Sequence, residues 1–153
     1  MPVSEINDLV NLLCSPVLVN KTGILLIQLS LIGKEADLAA GLNLDSIDIC
    51  GFYSKRLPVG GNYLALTWEK MINTLDAITQ LPELSDCVLV YNIDLLLSKL
   101  TQKERNQTWD RLFWGFRHKD RAILLLISIE SKNLIPDNKS LQIWVESNRA
   151  VII

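Results

Sequence analysis

The sequence predicts an α/β fold in which a mainly parallel sheet has helices on both faces. Three strand-length runs are almost entirely apolar, which is typical of strands buried on both faces of a parallel sheet. They are Gly23–Leu29, Cys87–Tyr91 and Ala122–Ile129. Amphipathic helical segments separate these runs, and this alternation is typical of a three-layer α/β domain.

Length and composition indicate one domain over residues 1–153. Hydrophobic residues make up 49% of the chain and charged residues 21%, which excludes a disordered or fibrous protein. The formal net charge is −2, so net charge gives no argument for nucleic-acid binding. The chain starts without a basic, apolar signal, and its longest apolar stretch is about half of a membrane span. We therefore expect a cytoplasmic protein with no membrane partner.

Caps and chain breakers predict the elements of the first half. Ser4 is expected to cap a first helix that ends before Pro16. A short helix over Glu35–Ala40 is expected to end at Gly41. Ser46–Cys50 is expected to form the second strand.

The second half follows from the same signals. Gly51–Asn62 has the composition of a loop. Thr67 is expected to cap a helix that ends at Leu81, and Thr101 with Glu104 forms a capping box for the next helix. The remaining elements are a loop over Ser131–Lys139, a strand over Leu141–Val145 and an edge strand over Ala150–Ile153.

Cysteine and histidine spacing predicts no metal site. Cys14, Cys50 and Cys87 lie far apart, and we expect all three to be buried structural residues. The single histidine, His118, falls in a polar connection where a surface turn is expected. No nucleophile motif is present, so we name no catalytic residue.

The loop after the first strand carries the pair Gly33-Lys34. At this position the motif GxxxxGK[ST] binds phosphates through backbone N–H groups, a lysine and a hydroxyl that ligates magnesium. Gln28 replaces the leading glycine of that motif, and Glu35 replaces the hydroxyl residue. Lys34 is therefore either a phosphate contact or a solvated lysine with Glu35 as its counter-charge.

Residues 81–131 resemble the passage from Walker B to sensor 1 in AAA+ and related P-loop ATPases. The resemblance implies ATP and magnesium as cofactors, with an aspartate for the metal and an acidic neighbour that orients water. The matching positions carry Tyr91 and Asn92. Asp94 is either a displaced metal ligand or a cap of the following turn, and Ser128 stands at the sensor-1 position.

The order of elements over about residues 20–130 is also similar to the small P-loop proteins of BREX-type phage-defence systems. Asn92–Leu96 is close to their Walker-B-like segment DNIELL. Lys55 and Arg56 fall in the position of their arginine-bearing loop. The resemblance implies a P-loop-NTPase-like fold and a setting in phage defence.

ATP hydrolysis requires groups that hold magnesium and place water, and Glu35, Tyr91 and Asn92 do not supply them. We expect a catalytically inactive P-loop-like domain that acts as an interaction or regulatory subunit of a larger assembly, without a bound cofactor. The alternative is an atypical ATP-binding switch with residual nucleotide binding at Gly33-Lys34. A small α/β enzyme of unrelated chemistry is a third hypothesis, for which the sequence offers no fingerprint.

Trp114 is the candidate for partner binding. It points roughly 150° away from the expected buried helix face, which consists of Trp109, Leu112, Phe113 and Phe116. Lys103 and Arg117 share its side, and an aromatic residue ringed by charge is typical of interface hot spots; the alternative is cover by another element. Residues 99–121 carry seven Lys or Arg against three acidic residues. This stretch and Lys55-Arg56 either contact an acidic partner or nucleic acid, or form solvated surface.

Overall fold

A five-stranded parallel sheet forms the centre of the structure. The computed structural model describes residues 2–16, 18–56, 66–82 and 84–153. The strand order is β2-β3-β4-β1-β5, and every neighbouring pair is parallel, which confirms the predicted sheet. The strands are β1 (Thr22–Ile27), β2 (Asp45–Asp48), β3 (Cys87–Tyr91), β4 (Ala122–Ser128) and β5 (Ala150–Ile152).

Helices cover both faces, so the architecture has three layers. Helices α1 and α2 pack on one face, where Leu9 and Ala39 join the core around Leu25. The other helices pack on the opposite face around Ile24. None of the helices within the described residues is long and apolar enough to span a membrane. The helices are α1 (Pro2–Leu13), α2 (Glu35–Gly41), α3 (Ile49–Lys55), α4 (Trp68–Thr79), α5 (Ile93–Leu97), α6 (Gln102–Asp110) and α7 (Asn138–Glu146).

Strands β1 and β4 are the centre of the sheet, in register from Thr22 opposite Ile123 to Ile27 opposite Ser128. Every residue of both strands is buried, because alternate side chains enter the cores on the two faces. Gly23 allows α1 to pack closely, since a Cβ there would lie 2.8 Å from a methyl group of Leu13.

The first two helices each differ from the predicted ones at one end. Ser4 lies inside α1, which begins at Pro2, a residue whose ring suits the first helical turn. Gly41 is the last residue of α2, and Asn43 takes the left-handed conformation after it, with φ of 60°. Its short polar side chain tolerates that conformation.

The second strand is also shorter than predicted. β2 ends at Asp48, whose carboxylate accepts a hydrogen bond from the N–H of Cys50 and so caps α3. Residues 51–55 are therefore helical rather than loop. Residues 57–62 of the predicted loop lie outside the described part of the chain.

The two threonine caps of the second half form as predicted, but the complete capping box and the strand over Leu141–Val145 do not. The hydroxyls of Thr67 and Thr101 accept hydrogen bonds from N–H groups in the first turns of α4 and α6. The carboxylate of Glu104 does not close a capping box but accepts the N–H of Trp68 at 3.3 Å. The predicted strand over Leu141–Val145 is wrong, because these residues lie in α7.

The cysteines do not all share the buried position that we expected. Cys14 is exposed, Cys50 is half-buried and Cys87 is buried. A hydrogen bond with Cys87 lowers the pKa of the Cys14 thiol to about 7. The same hydrogen bond, together with burial, raises the pKa of Cys87. Cys14 lies just after the last turn of α1, where a helix end meets solvent.

Candidate functional site

The loops that follow β1 and β4 diverge at the carboxyl edge of the sheet. β1 leads to α2 on one face, whereas its neighbour β4 leads to α7 on the other. In open parallel sheets ligands bind in the crevice at such a switch point. Here the crevice, which we call the switch-point cavity, is lined by Ile27, Ile32, Glu35, Asn92, Asp94, Leu126 and Ser128.

In the loop between β1 and α2, backbone N–H groups donate hydrogen bonds to carbonyls of the same loop. It contains a 3-10 turn over Leu29–Leu31. The N–H of Leu31 donates to the carbonyl of Gln28, and the N–H of Lys34 donates to the carbonyl of Leu31. A phosphate-binding loop instead aims such groups at its anion.

Glu35 satisfies the remaining N–H at the glycine of the predicted motif. Gly33 has φ of +89°, a conformation that glycine adopts without steric cost. Its N–H donates to the Glu35 carboxylate at 3.1 Å. The carboxylate therefore occupies the position in which a phosphate oxygen would accept this hydrogen bond.

The switch-point cavity is too small for a nucleotide. Its volume is about 40 Å³, whereas pockets for small molecules measure roughly 300–1,000 Å³. Two carboxylates, those of Glu35 and Asp94, line it, and both would repel a triphosphate. No group of three His, Cys, Asp or Glu side chains in the described ranges is placed to hold a metal ion.

Lys34 lies at the start of α2 and is exposed. The carboxylate of the neighbouring Glu35 accepts the N–H of Gly33, and among the described residues no ion pair joins it to Lys34. Lys34 also does not line the switch-point cavity. The side chain of Lys34 is therefore solvated in this structure.

The polar groups at the ends of β3 and β4 are bound within the protein. Asn92 takes the left-handed conformation, with φ of 63°, and its side-chain amide donates to Asp48 at 3.0 Å. The Ser128 hydroxyl accepts the N–H of Glu130 at 3.2 Å. Asp94 is the second residue of α5 and half-buried, so it is not the cap that the sequence allowed.

Asp48 is a residue of this edge whose role the local sequence pattern did not predict. Its carboxylate joins the ends of β2 and β3, since it accepts hydrogen bonds from both Cys50 and Asn92. The available signal was an aspartate at the end of a strand and directly before a helix. That signal predicts a cap, but not that β2 and β3 are neighbours.

Trp114 lies on an exposed surface at the end of α6. The helix continues into a π-helical turn over Arg111–Gly115, and the Trp114 side chain is 61% exposed. Its ring packs edge-on against Phe113 at 4.8 Å, and Arg117 donates to its carbonyl at 3.0 Å. Trp114 lines an open depression of about 370 Å³ with Trp68, Gln107, Asp110, Arg111 and Gly115.

The other predicted partner contacts do not join this surface. Lys103 is exposed in the first turn of α6, and Lys55 is exposed in the last turn of α3. The guanidinium of Arg56 lies 5.4 Å from the ring centre of Phe52. Arg56 lines a shallow depression together with Tyr53 of α3 and with Lys70, Asn73 and Thr74 of α4.

Three of the seven cations in residues 99–121 have structural roles. Arg105 donates to the carbonyls of Leu97 and Leu100. Lys119 forms an ion pair with Asp76 at 2.7 Å. The guanidinium of Arg121 donates to four carbonyls, those of Ile78, Thr79, Leu84 and Ser85. Fewer charges than the sequence suggests are therefore free to contact a nucleic acid.

Comparison with known proteins adds no family to these observations. No protein-family model, curated protein or solved structure matches the chain. We therefore infer function from the geometry of this chain and from the resemblance of its motifs.

Proposed function

We propose that this chain is a catalytically inactive P-loop-like domain that acts as an interaction or regulatory subunit of a larger assembly. The observation that carries the proposal is the hydrogen bond from the Gly33 N–H to the Glu35 carboxylate. A phosphate would have to displace this carboxylate and then lie beside it. Because like charges at hydrogen-bonding distance repel, the loop disfavours its expected ligand.

The residues at the strand ends support the same conclusion. Phosphoryl transfer relies on a hydroxyl and a carboxylate for magnesium and on a group that positions water. Glu35, Tyr91 and Asn92 stand at the corresponding positions. The side-chain amide of Asn92 is bound to Asp48 at 3.0 Å, so it is not free to orient water.

The exposed Trp114 supports a role in protein contact. An indole that is 61% exposed on a π-helical turn combines two features common at functional surfaces, an aromatic anchor and an irregular helix. The resemblance of residues 20–130 to proteins of BREX-type systems supports a setting in phage defence or another DNA-directed process. Contact with nucleic acid would then be made through the partner.

Nucleotide binding tests the proposal. We expect 1 mM ATP with magnesium to leave the melting temperature of the purified chain unchanged. A ligand with a dissociation constant of about 10 μM would add about 2.7 kcal/mol under these conditions and raise the melting temperature by roughly 5 °C or more. Differential scanning fluorimetry resolves such a change, and calorimetric titration provides an independent measurement.

Three variants separate the alternatives. Glu35→Thr restores a hydroxyl at the motif position, and Asp37→Thr on the same helix is the matched control. ATP-dependent stabilisation of the natural chain that disappears in Lys34→Ala would overturn the proposal in favour of an ATP-binding switch. Hydrolysis of ATP that disappears in the same variant would contradict it equally.

A further inference from the structure

A groove runs along the free edge of β5, on the side of the sheet opposite to β2. It lies between α1 and α7, with a volume of about 490 Å³, well within the range of roughly 300–1,000 Å³ of ligand pockets. Its apolar lining is Leu9, Leu12, Val145, Ala150, Val151 and Ile152. Val145 is 37% exposed and Ile152 is 48% exposed, so apolar surface remains in contact with solvent.

The backbone of β5 presents unused hydrogen-bonding groups to this groove. The Arg149 carbonyl accepts the N–H of Ile24, and the Ile153 N–H donates to the carbonyl of Leu26, so these odd-numbered positions face β1. Backbone groups alternate in direction along a strand. The N–H and C=O groups of Ala150 and Ile152 therefore point away from β1. Across the described ranges, no other backbone group pairs with them.

We propose that this groove binds an extended segment of a partner protein as a sixth strand, with apolar residues alternating with lysine or arginine. The proposal rests on the proposed function in one respect, that the chain works through contact with a partner. Strand addition to an open sheet edge uses main-chain hydrogen bonds for affinity and side-chain pockets for specificity. The structure provides both elements.

The side-chain pattern follows from the two faces of the added strand. Successive residues of a strand point to opposite faces. On one face they meet α1, with Leu9 and Leu12, and on the other they meet Val145 of α7. The acidic residues Glu5 and Asp8 also lie on the α1 face. The partner segment therefore presents lysine or arginine to that face, where the aliphatic stems cover Leu9 and Leu12, and apolar side chains to the α7 face.

Charge at the rim identifies the partner as cationic. Among the described residues, those with charge that line the groove are Glu5 and Asp8, both on α1, without a lysine or arginine beside them. A second copy of this chain would present its own β5, in which no residue is cationic, while the preceding Arg149 is only 5% exposed. Pairing of two copies would thus bring acidic rims together, which disfavours a dimer at this edge.

A synthetic heptapeptide tests the proposal with the complete chain. We expect fluorescein-labelled Lys-Val-Lys-Val-Lys-Val-Lys to bind in a fluorescence-anisotropy titration, with affinity that falls as salt rises. Glu-Val-Glu-Val-Glu-Val-Glu lacks the charge complement. Lys-Pro-Lys-Pro-Lys-Pro-Lys keeps the charge, but its prolines lack an N–H and fix φ near −65°, so it cannot form a regular strand ladder. Neither control peptide should bind measurably.

Two variants locate the binding site on the chain. Ile152→Pro removes an N–H that points outward and leaves the hydrogen bonds to β1 intact, and we expect it to weaken binding about tenfold. Asp8→Lys should weaken binding by a similar factor, whereas Asp37→Lys on α2 makes the same charge change away from the groove and should have no effect. If Ile152→Pro does not fold, the affinity of Asp8→Lys for the lysine peptide tests whether the groove is the binding site.

Four results would overturn this proposal. They are failure of the lysine peptide to bind at 1 mM, equal binding of the proline peptide, insensitivity to Asp8→Lys, and a dimer that Ile152→Pro dissociates in sedimentation. Peptide binding that is lost on substitution of Trp114 rather than of Asp8 would overturn the assignment of the groove as the binding site, but it would leave the proposed interaction function in place. ATP-dependent stabilisation would overturn the inactive domain but leave the groove in place.

Discussion

Arg149 is a buried cation that holds three parts of the molecule together. Its guanidinium donates to the Thr22 carbonyl at the start of β1, to the Asn20 side chain, and to the carbonyls of Leu112 and Phe113. Those last two carbonyls belong to the π-helical turn, where the helical hydrogen bonds end. The guanidinium also lies between aromatic rings, 4.5 Å from Phe113 and 4.6 Å from Trp144. Burial lowers the pKa of Arg149 to about 10, which still leaves it charged at neutral pH.

We expect Arg149→Lys to reduce the free energy of unfolding by about 3 kcal/mol. A single ammonium group cannot reach all four acceptors, so several hydrogen bonds of the buried network are lost, although Asn20 still donates to the carbonyls of Leu112 and Phe113. Urea denaturation followed by circular dichroism measures the change. Arg117→Lys is the matched control, because Arg117 is exposed, and it should change stability by less than about 0.5 kcal/mol. An Arg149→Lys variant within 1 kcal/mol of the natural chain would show that the network is dispensable.

The sequence shows how Gly33-Lys34-Glu35 departs from the pattern GK[ST], but not where the Glu35 carboxylate lies. The three residues are adjacent, so the absence of a hydroxyl residue at the third position is evident from the sequence. The hydrogen bond from Gly33 to Glu35 depends on a loop conformation that spacing does not determine. No local sequence pattern indicated the structural role of Arg149, because its hydrogen-bond partners are up to 129 positions away in the chain. Long-range polar contacts of this kind escape any local pattern.

At the scale of the element, the spacing of apolar residues in α7 indicates a strand, whereas the residue that caps its start indicates a helix. Leu141, Ile143 and Val145 alternate with Gln142 and Trp144, which led to the prediction of a strand. In the helix, Trp144 is the one fully buried residue, and Ile143 and Val145 are exposed. The cap was the better signal: Asp137 accepts the N–H of Ser140 at 2.8 Å. Short apolar runs do not distinguish helix from strand, and the residue that begins the element does.

The cap of α7 predicts a stability change in acid. Hydrogen bonding from the N–H of Ser140 lowers the pKa of Asp137 below its ordinary value of 3.8. The stabilisation is therefore fully present above pH 3.8 and is lost as the pH falls through the lowered value. We expect Asp137→Ala to lower the free energy of unfolding by about 1 kcal/mol at pH 7, and the difference from the natural chain to shrink below pH 4. Thermal melts by circular dichroism across pH 2.5–7 measure both effects.

Asp137→Asn separates the charge from the cap. The amide oxygen still accepts the N–H of Ser140, so this variant should retain most of the stability at pH 7 but lack the acid dependence. Asp120→Asn, at an exposed position outside any helix, is the matched control for the loss of one carboxylate. A loss in Asp137→Ala that is independent of pH would contradict the assignment of the carboxylate as the titrating group.

At the scale of the whole molecule, the connections determine where the sheet opens. From β1 the chain crosses three positions to β2, then returns strand by strand to β4 and passes over β1 to β5. Because crossovers are right-handed, the two directions place their helices on opposite faces, as observed for α2 and for α3–α7. Parallel strands could be predicted from the apolar runs alone. The strand order could not, because apolar strands carry little information about which neighbour they take.

Strand β5 protects β1 from becoming an edge, and this predicts the effect of its removal. β1 is buried along its whole length. Without β5 it would be an exposed, mostly apolar edge strand with unpaired N–H and C=O groups, which favours aggregation. We expect a chain truncated after Arg149 to lose about 3 kcal/mol or more, from the lost ladder and the burial of Val151, and to self-associate. Denaturation and light scattering after gel filtration measure the two effects. Ile152→Ser keeps the β5 backbone, so this control should remain monomeric, with a free energy of unfolding within about 1 kcal/mol of that of the natural chain. A truncated chain that is as stable as the natural chain and monomeric would show that β1 does not need β5 as a neighbour.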